Sequence, residues 1–197
     1  MPPLSKAVVT VRAQKGRSSR AIGRSKGGMI TKIAALTDIT YIPMRRGFLY
    51  LVAVRHWATR RVLSWRLSNT MDVEFCIAVL EESPLARFGP PGIFNSGQES
   101  QFTSQRFTEI LGGVGVRISM DGRGRWMDNV FIERLWRSLK YECVYLPAFE
   151  TRSELRAGLA RWMINEVGPH SAHGGITPDE AYAAIGAGEK ETATLAA

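Results

Sequence analysis

The order of short apolar runs and amphipathic stretches along this 197-residue chain predicts an α/β fold, a mixed sheet of three antiparallel strands followed by parallel strands and flanked by helices. Three observations carry that prediction. Three runs rich in β-branched and aromatic residues follow one another at hairpin spacing from Asp38 onward. A short apolar run, a helical segment and a second short run then occupy Gly92 to Ser119, the pattern of a βαβ unit. A long amphipathic helix comes next.

The first strand is DITYIP, beginning at Asp38, the second GFLYLVAV, beginning at Gly47, and the third RRVLSWRLS, beginning at Arg60. Met44 to Gly47 is a hairpin-length gap and the gap after Val54 is similarly short, so the three form an antiparallel meander. Asp72 begins a helical stretch in which Val73, Ile77, Leu80 and Ala86 repeat at helical spacing. Asn69 or Thr70 is available to cap it, and it is expected to end near Gly89-Pro90-Pro91. The fourth strand is GIFN, Gly92 to Asn95; a helix from Ser104 to Leu111 closes at Gly112-Gly113, and VRIS, Val116 to Ser119, is the fifth strand. Asp121 to Asp128, rich in glycine and arginine, reads as a mobile loop.

The next helix runs from Asp128 or Asn129 to Glu142. Ile132, Leu135, Trp136 and Leu139 fall at i, i+3, i+4 and i+7 and make its buried stripe, while Glu133, Arg137, Lys140 and Tyr141 share another face. Spacing alone reads Glu133 and Arg137 as an i,i+4 ion pair on a solvated face. A helix from Arg152 to Ile164 and a short one opening at Thr177-Pro178-Asp179-Glu180 complete the series. Three strands, a helix, then strand, helix, strand, helix is the order of a ribonuclease-H-like mixed sheet, although other α/β folds share parts of it.

Composition, 45% apolar and 22% charged, is that of a globular protein with one main domain. No stretch reaches the roughly 18 consecutive apolar residues of a membrane span, and no secretory signal opens the chain, so a cytoplasmic protein is expected. Cys76 and Cys143 lack CxxC spacing and histidine neighbours, which argues for buried free thiols over zinc or a disulfide. The net charge of +8 lies wholly in residues 1–37, which hold eight bases and no acid, leaving 18 of the 26 bases to face all 18 acids. A basic, Gly- and Ser-rich leader of this kind is expected to be a flexible tail suited to phosphate backbones.

The segments DITYIPMRRGFLYLVAV, FNSGQESQFTS and ISMDGRGRWMDNVFIERLWRSLKYECVY closely resemble the integrase core of insertion-sequence transposases of the IS-three group, over residues 38 to 182. The resemblance implies the ribonuclease-H-like fold and three acids, Asp, Asp and Glu, holding two Mg²⁺ or Mn²⁺ ions for DNA strand cutting and joining. The positions that match are Asp38, Gly97 and Glu133, with Asp38 and Glu133 as the catalytic, metal-binding acids and thirty-five residues between Gly97 and Glu133 as the family pattern requires. Lys140 matches the family's DNA-contacting lysine, and Arg137, Arg125 and Arg123 are the accompanying DNA-binding candidates. DNA is the implied partner, with a homo-oligomer or a helix-turn-helix protein of the element beside it and no membrane.

The chain departs from the family where the middle acid belongs: a TDQGSQF-like pattern is replaced by Ser96-Gly97-Gln98-Glu99-Ser100-Gln101-Phe102. Gly97 offers no ligand, so the metal site is expected to be weakened and the enzyme, a polynucleotidyl transferase by descent, impaired. Glu99 puts an acid two residues on, which leaves a substitute ligand as one reading; its side chain is longer and starts from a displaced backbone, and the plainer reading is an exposed turn glutamate. His56 stands where the family commonly has an acid and reads as a replacement, while His170 and His173 are expected to cap or line a C-terminal turn. The alternative to an impaired transposase is an inactive DNA-binding or interfering remnant. Residues 1–37 contain QKGRSSRAIGRSKGGMITKIAALTD up to the boundary, which resembles a segment of IS-five group transposases; a leader of foreign origin (1–37), an integrase core (38–185) and a flexible tail (186–197) are the expected divisions.

Overall fold

Alternation of apolar side chains along 34–44 is what makes the first strand the spine of the sheet. In the computed structural model, which describes residues 34–83, 91–120, 126–147, 149–165 and 173–185, β1 (Ala34–Met44), β2 (Gly47–His56) and β3 (Val62–Ser68) form the expected antiparallel meander. Arg45 and Arg46 make the tight turn between the first two, and Gly47 completes it at φ +91°, a conformation that favours glycine. After α1 (Val73–Glu81), β4 (Ile93–Ser96), α2 (Gln105–Gly113) and β5 (Arg117–Met120) form the βαβ unit, with β4 parallel to β1 and β5 parallel to β4. The strand order is β3-β2-β1-β4-β5. Then come α3 (Trp126–Leu139), a π-helical turn (Lys140–Val144), α4 (Arg152–Asn165) and a short α5 at 178–185.

The period of two divides the apolar residues of the sheet between two cores. Leu36, Ile42, Leu51 and Ala53 pack against Ile132, Leu135 and Leu139 of α3 and Leu155 and Leu159 of α4. Ala35, Ile39, Val52 and Val54 point the other way, onto Phe75, Cys76 and Val79 of α1 and Phe107 and Leu111 of α2. Each fully buried leucine or phenylalanine contributes about 1.5–3 kcal/mol through the area it removes from water. The stripe predicted on α3 is the stripe observed, all four residues being buried.

Several boundaries differ from expectation for identifiable reasons. β1 begins at Ala34, four residues before Asp38, because Ala34–Thr37 pair in register with Ile93–Ser96. The cap of α1 is Asp72 and not Asn69 or Thr70: its carboxylate accepts from the Phe75 amide at 2.8 Å, and Thr70 instead donates to Asp72. α1 ends at Glu81, well before Gly89, since Ser83 precedes Pro84 and a residue before proline is pushed out of the helical region. α3 starts at Trp126, inside the segment read as a loop. Ser104 caps α2, and Thr177 and Glu180 form a reciprocal capping box at α5. Both cysteines are buried and free.

Among the described residues no helix is long and apolar enough to cross a membrane. Residues 1–33 of the leader, Ala86, Arg123, Arg125, His170 and the tail 186–197 lie outside the described residues.

Candidate active site

Asp38 sits in the middle of β1, opposite Ala53 of β2. On the other side the parallel register pairs Thr37 with Ser96, so the next residue of each chain segment places Gly97 beside Asp38 at the end of β4. Neighbouring strands run about 4.8 Å apart. Strand alternation puts Asp38 on the same face as Leu36 and Ile42, the face covered by α3.

α3 answers from above. The indole Nε1–H of Trp136, itself buried, donates to Asp38 Oδ2 at 2.8 Å. Glu133 stands one turn earlier on the helix and Lys140 one turn later, and with Thr40, Trp136, Arg137 and Tyr141 they line an open groove of about 450 Å³. Asp38, Glu133, Arg137 and Lys140 are thereby brought to one region of the surface. The ion pair between Glu133 and Arg137 expected from their spacing does not form: among the described residues the ion pairs are elsewhere, as between Arg61 and Asp179 at 2.6 Å and between Arg66 and Glu82 at 2.7 Å. Both Glu133 and Arg137 are exposed to the groove.

Lys140 owes its place to the π-helical turn. The Tyr145 amide bonds to the Lys140 carbonyl at 2.9 Å, an i→i+5 closure, and the turn carries Cys143 and Val144 into the core while Trp162 Nε1 donates to Glu142 Oε2 at 3.1 Å. The polar side of the same turn leaves Tyr141 exposed at the groove.

The strand end around Gly97 differs most from its reading. Glu99 is half-buried, not an exposed turn residue, and its side chain folds back over Gly97. An ideal Cβ at position 97 would overlap Glu99 Oε2 and lie 2.8 Å from Glu99 Cδ. That Oε2 is buried with no hydrogen-bond partner among the described residues, as are Asn95 Oδ1 and Ser96 Oγ on the two residues before the glycine. Burial pushes the thiol of Cys76 on α1 up to about 12, with the charges of Asp72 and Glu99 adding to the shift.

The histidines take structural positions. His56 is buried, shares Nδ1 with the Thr59 hydroxyl at 2.9 Å, and meets the Tyr182 ring edge-on at 5.2 Å. His173 Nε2 lies 3.1 Å from the carbonyl of Thr59 in the β2–β3 connection, and the C-terminal turn it was expected to line falls outside the described residues. A feature absent from the sequence reading is the Arg60 guanidinium, stacked 2.9 Å above the Phe131 ring centre with Trp57 alongside. Burial, then Arg55 and Arg134, lower its pKa to about 10. Its place three residues after Trp57 is the one mark of the stack in the sequence, and in the structure Arg60 takes φ 65° within that turn.

The carboxylates suit a hard divalent cation only in part. Among the described residues no three His, Cys, Asp or Glu side chains form a group that could hold a metal ion. Asp38 is bonded to Trp136, Glu133 lines the groove that Trp136 also lines, and Mg²⁺ is commonly held by one or two carboxylates with water and phosphate oxygens completing its shell. The oxygen donors are of the type such an ion takes, and a three-acid set is not formed among the described residues.

Two family models, both described as integrase core domain, match residues 34–125 and 114–178. The chain is 30% identical over 142 residues to the transposase for insertion sequence element IS904 of Lactococcus lactis, an alignment covering 72% of this chain and 56% of the relative. It is 29% identical over 147 residues to transposase InsF for insertion sequence IS3A of Escherichia coli K12, covering 73% and 51%. The chain thus spans about half the length of the curated relatives it matches. Among solved structures, the catalytic core domain of BIV integrase superposes with a TM-score of 0.58 at 16% identity, over 81% of this chain and 97% of that one. The HTLV-2 integrase catalytic core domain in complex with magnesium gives a TM-score of 0.54 at 18% identity, over 79% and 98%. A simian T-cell lymphotropic virus intasome in complex with PP2A regulatory subunit B56 gamma gives a TM-score of 0.63 at 18% identity, over 81% and 57%. At these identities the likeness is one of fold, and the sheet order matches the ribonuclease-H-like expectation.

Proposed function

Because the chain belongs to the integrase core domain family, we propose that it is the core of an insertion-sequence transposase of the IS-three group, built for cutting and joining DNA strands and slowed by the glycine at position 97. The observation that carries this reading is the bond from Trp136 to Asp38 beneath a groove that presents Glu133, Arg137 and Lys140 together. Asp38 and Glu133 are the acids that would hold Mg²⁺ or Mn²⁺, ions that activate an attacking oxygen and stabilise a leaving one at a phosphodiester. Trp136 orients Asp38, and its bulk excludes water from one side of that carboxylate. Lys140 and Arg137 neutralise DNA phosphates at the groove, and Arg123 and Arg125, which lie outside the described residues, are the further candidates for phosphate contact.

The remaining features fit a cytoplasmic protein that acts on DNA, alone as a homo-oligomer or with a helix-turn-helix protein of the element. Of the segment 1–37 that resembles the IS-five group, residues 34–37 belong to β1 and thus to the core, which leaves residues 1–33 as the basic leader of foreign origin, 34–185 as the core and 186–197 as a tail. The second reading, an inactive DNA-binding or interfering remnant, is favoured by one observation, the absence of any ligand atom at Gly97.

A nicking and strand-transfer assay with Mn²⁺ on the unaltered protein and on Gly97→Asp separates the two. Slow, metal-dependent nicking that rises in Gly97→Asp supports the transposase core; DNA binding without nicking in either protein supports the remnant.

A further inference from the structure

The turn between β2 and β3 lays guanidinium groups against α3, on the flank that carries Phe131 and Arg134. We propose that Arg55, Arg60 and Arg134 form an oxyanion site there, away from the groove, built to take a phosphate group. Assigning that phosphate to a DNA backbone rests on the reading above; the site itself does not.

Phe131 and Arg134, three residues apart, share one flank of α3, while Glu133, Arg137 and Lys140 line the groove on another. Arg55 ties the turn to the first flank: its Nε donates to the Arg60 carbonyl at 2.5 Å and its Nη1 to the Phe131 carbonyl at 2.7 Å. The Arg60 guanidinium lies over the Phe131 ring, 2.9 Å from its centre, with the Trp57 ring 5.4 Å away. Stacking of this kind uses the face of a guanidinium and leaves the N–H groups in its plane for an acceptor. One goes unmet: Arg60 Nη1 is buried with no hydrogen-bond partner among the described residues, and an unmet buried donor on a charged group is costly. Like charges add to that cost. Burial, then Arg55 and Arg134, lower the Arg60 pKa to about 10, so the group stays protonated at neutral pH beside two more guanidiniums. Asp179 of α5 pairs with the adjacent Arg61 at 2.6 Å and Glu133 lines the groove, so neither is bonded to Arg60. Arg134 is exposed and makes no ion pair among the described residues, which leaves the cluster open to solvent on its side. Arginine has N–H donors and no acceptor, and its planar fork matches the oxygens of a phosphate, whereas a metal cation is repelled by the same charge. The turn also holds Arg60 at φ 65°, a region that favours glycine, so this side chain is kept at some backbone strain.

The test follows the melting temperature of the full chain in sodium phosphate against sodium chloride at equal ionic strength. The proteins are the parent, Arg134→Gln, Arg60→Gly and, as a matched loss of charge at an exposed arginine of β5, Arg117→Gln. Arg134 is exposed and glycine suits φ 65°, so both site variants are expected to fold. Phosphate is expected to raise the melting temperature of the parent and of Arg117→Gln above that in chloride, because it binds the folded state. Arg134→Gln is expected to need roughly 10-fold more phosphate for the same rise, the loss of one charge-assisted bond, and Arg60→Gly to show no rise. A parent stabilised no more by phosphate than by chloride overturns the site, as does a loss in Arg117→Gln equal to that in Arg134→Gln. Duplex binding across salt then separates the sources of the phosphate. A slope of log K against log salt lowered by about 1 in Arg134→Gln, and lowered further in the double variant with Lys140→Ala, assigns the site to the DNA backbone. An unchanged slope in a variant that has lost its phosphate response supports a site for free phosphate. A phosphate response in a parent that binds no DNA overturns the transposase reading and leaves the site standing.

Discussion

Trp136 Nε1 donates to Asp38 Oδ2 across 2.8 Å, joining a helix residue to a strand residue 98 positions earlier in the chain. The bond does two things at once: it satisfies an indole that is otherwise buried in the core under α3, and it fixes the Asp38 carboxylate beside a groove that Trp136 lines. Trp136→Phe keeps most of the packing and removes the donor, so a loss of about 0.5–1.5 kcal/mol is expected in urea unfolding. Trp136→Ala adds a cavity and should cost about 3–5 kcal/mol. Equal losses for the two variants would show that the hydrogen bond, not the packing, dominates at this position.

Acid should weaken the N-terminus of α1 in a way that traces to one residue. The Phe75 amide, then the Thr70 hydroxyl, hold the Asp72 carboxyl below its ordinary pKa. A depressed folded-state pKa means stability that is present above the unfolded value near 3.9 and is lost as pH falls through the folded value. Asp72→Asn retains a capping oxygen and loses the titration, so the difference in stability between the two proteins should shrink steadily below about pH 4. A difference that is flat from pH 6 to pH 2 refutes the assignment.

Neither cysteine should behave as a reactive thiol. Burial raises both pKa values, that of Cys76 to about 12, so almost no thiolate exists at pH 8. The folded protein is expected to leave an aromatic disulfide reagent unreacted over minutes, and the urea-unfolded chain to titrate both thiols; stoichiometric labelling of the native protein would count against the buried placement.

Lys140 should contribute to DNA affinity without reading sequence. Lys140→Ala is expected to weaken binding to unrelated duplexes alike and to lower the slope of log K against log salt by about 1. A sequence-dependent effect, or an unchanged slope in filter binding across salt, removes it from the phosphate-contacting set.

Gly158 inverts an ordinary rule. Alanine usually stabilises a helix interior by about 1 kcal/mol over glycine. Here the Phe149 ring lies against the bare backbone of α4, its Cε1 2.8 Å from where a Cβ would stand. Gly158→Ala should therefore lower the melting temperature, and Phe149→Leu should relieve part of that loss in a double-mutant cycle.

Much of the fold was legible because it depends on periodicities that the chain displays openly. The strands of the meander and the apolar stripe Ile132, Leu135, Trp136 and Leu139 follow from spacing alone, and the caps at Ser104 and Thr177 from residue type. The end of α1 was also written in the chain, in Pro84, which stops the helix ahead of Gly89-Pro90-Pro91. The π-helical turn left a fainter mark, the burial of Cys143 and Val144 beyond the last α-helical turn. Of the candidate site, Asp38, Glu133, Arg137 and Lys140 were found by resemblance, and their gathering at one groove needed the sheet and α3 to be assembled. The return of Glu99 over Gly97 was not legible, because it depends on where a five-atom side chain finds room and no spacing rule describes that.

Pairing of β1 on both edges has a last consequence. Ladder bonds to β2 and β4 pin the stretch that carries Asp38, so that residue inherits its address from the architecture itself. Position 97, by contrast, lies just past the final paired residue, where the scaffold demands little. A substitution at position 97 can therefore change the groove's chemistry while leaving the strand ladder intact.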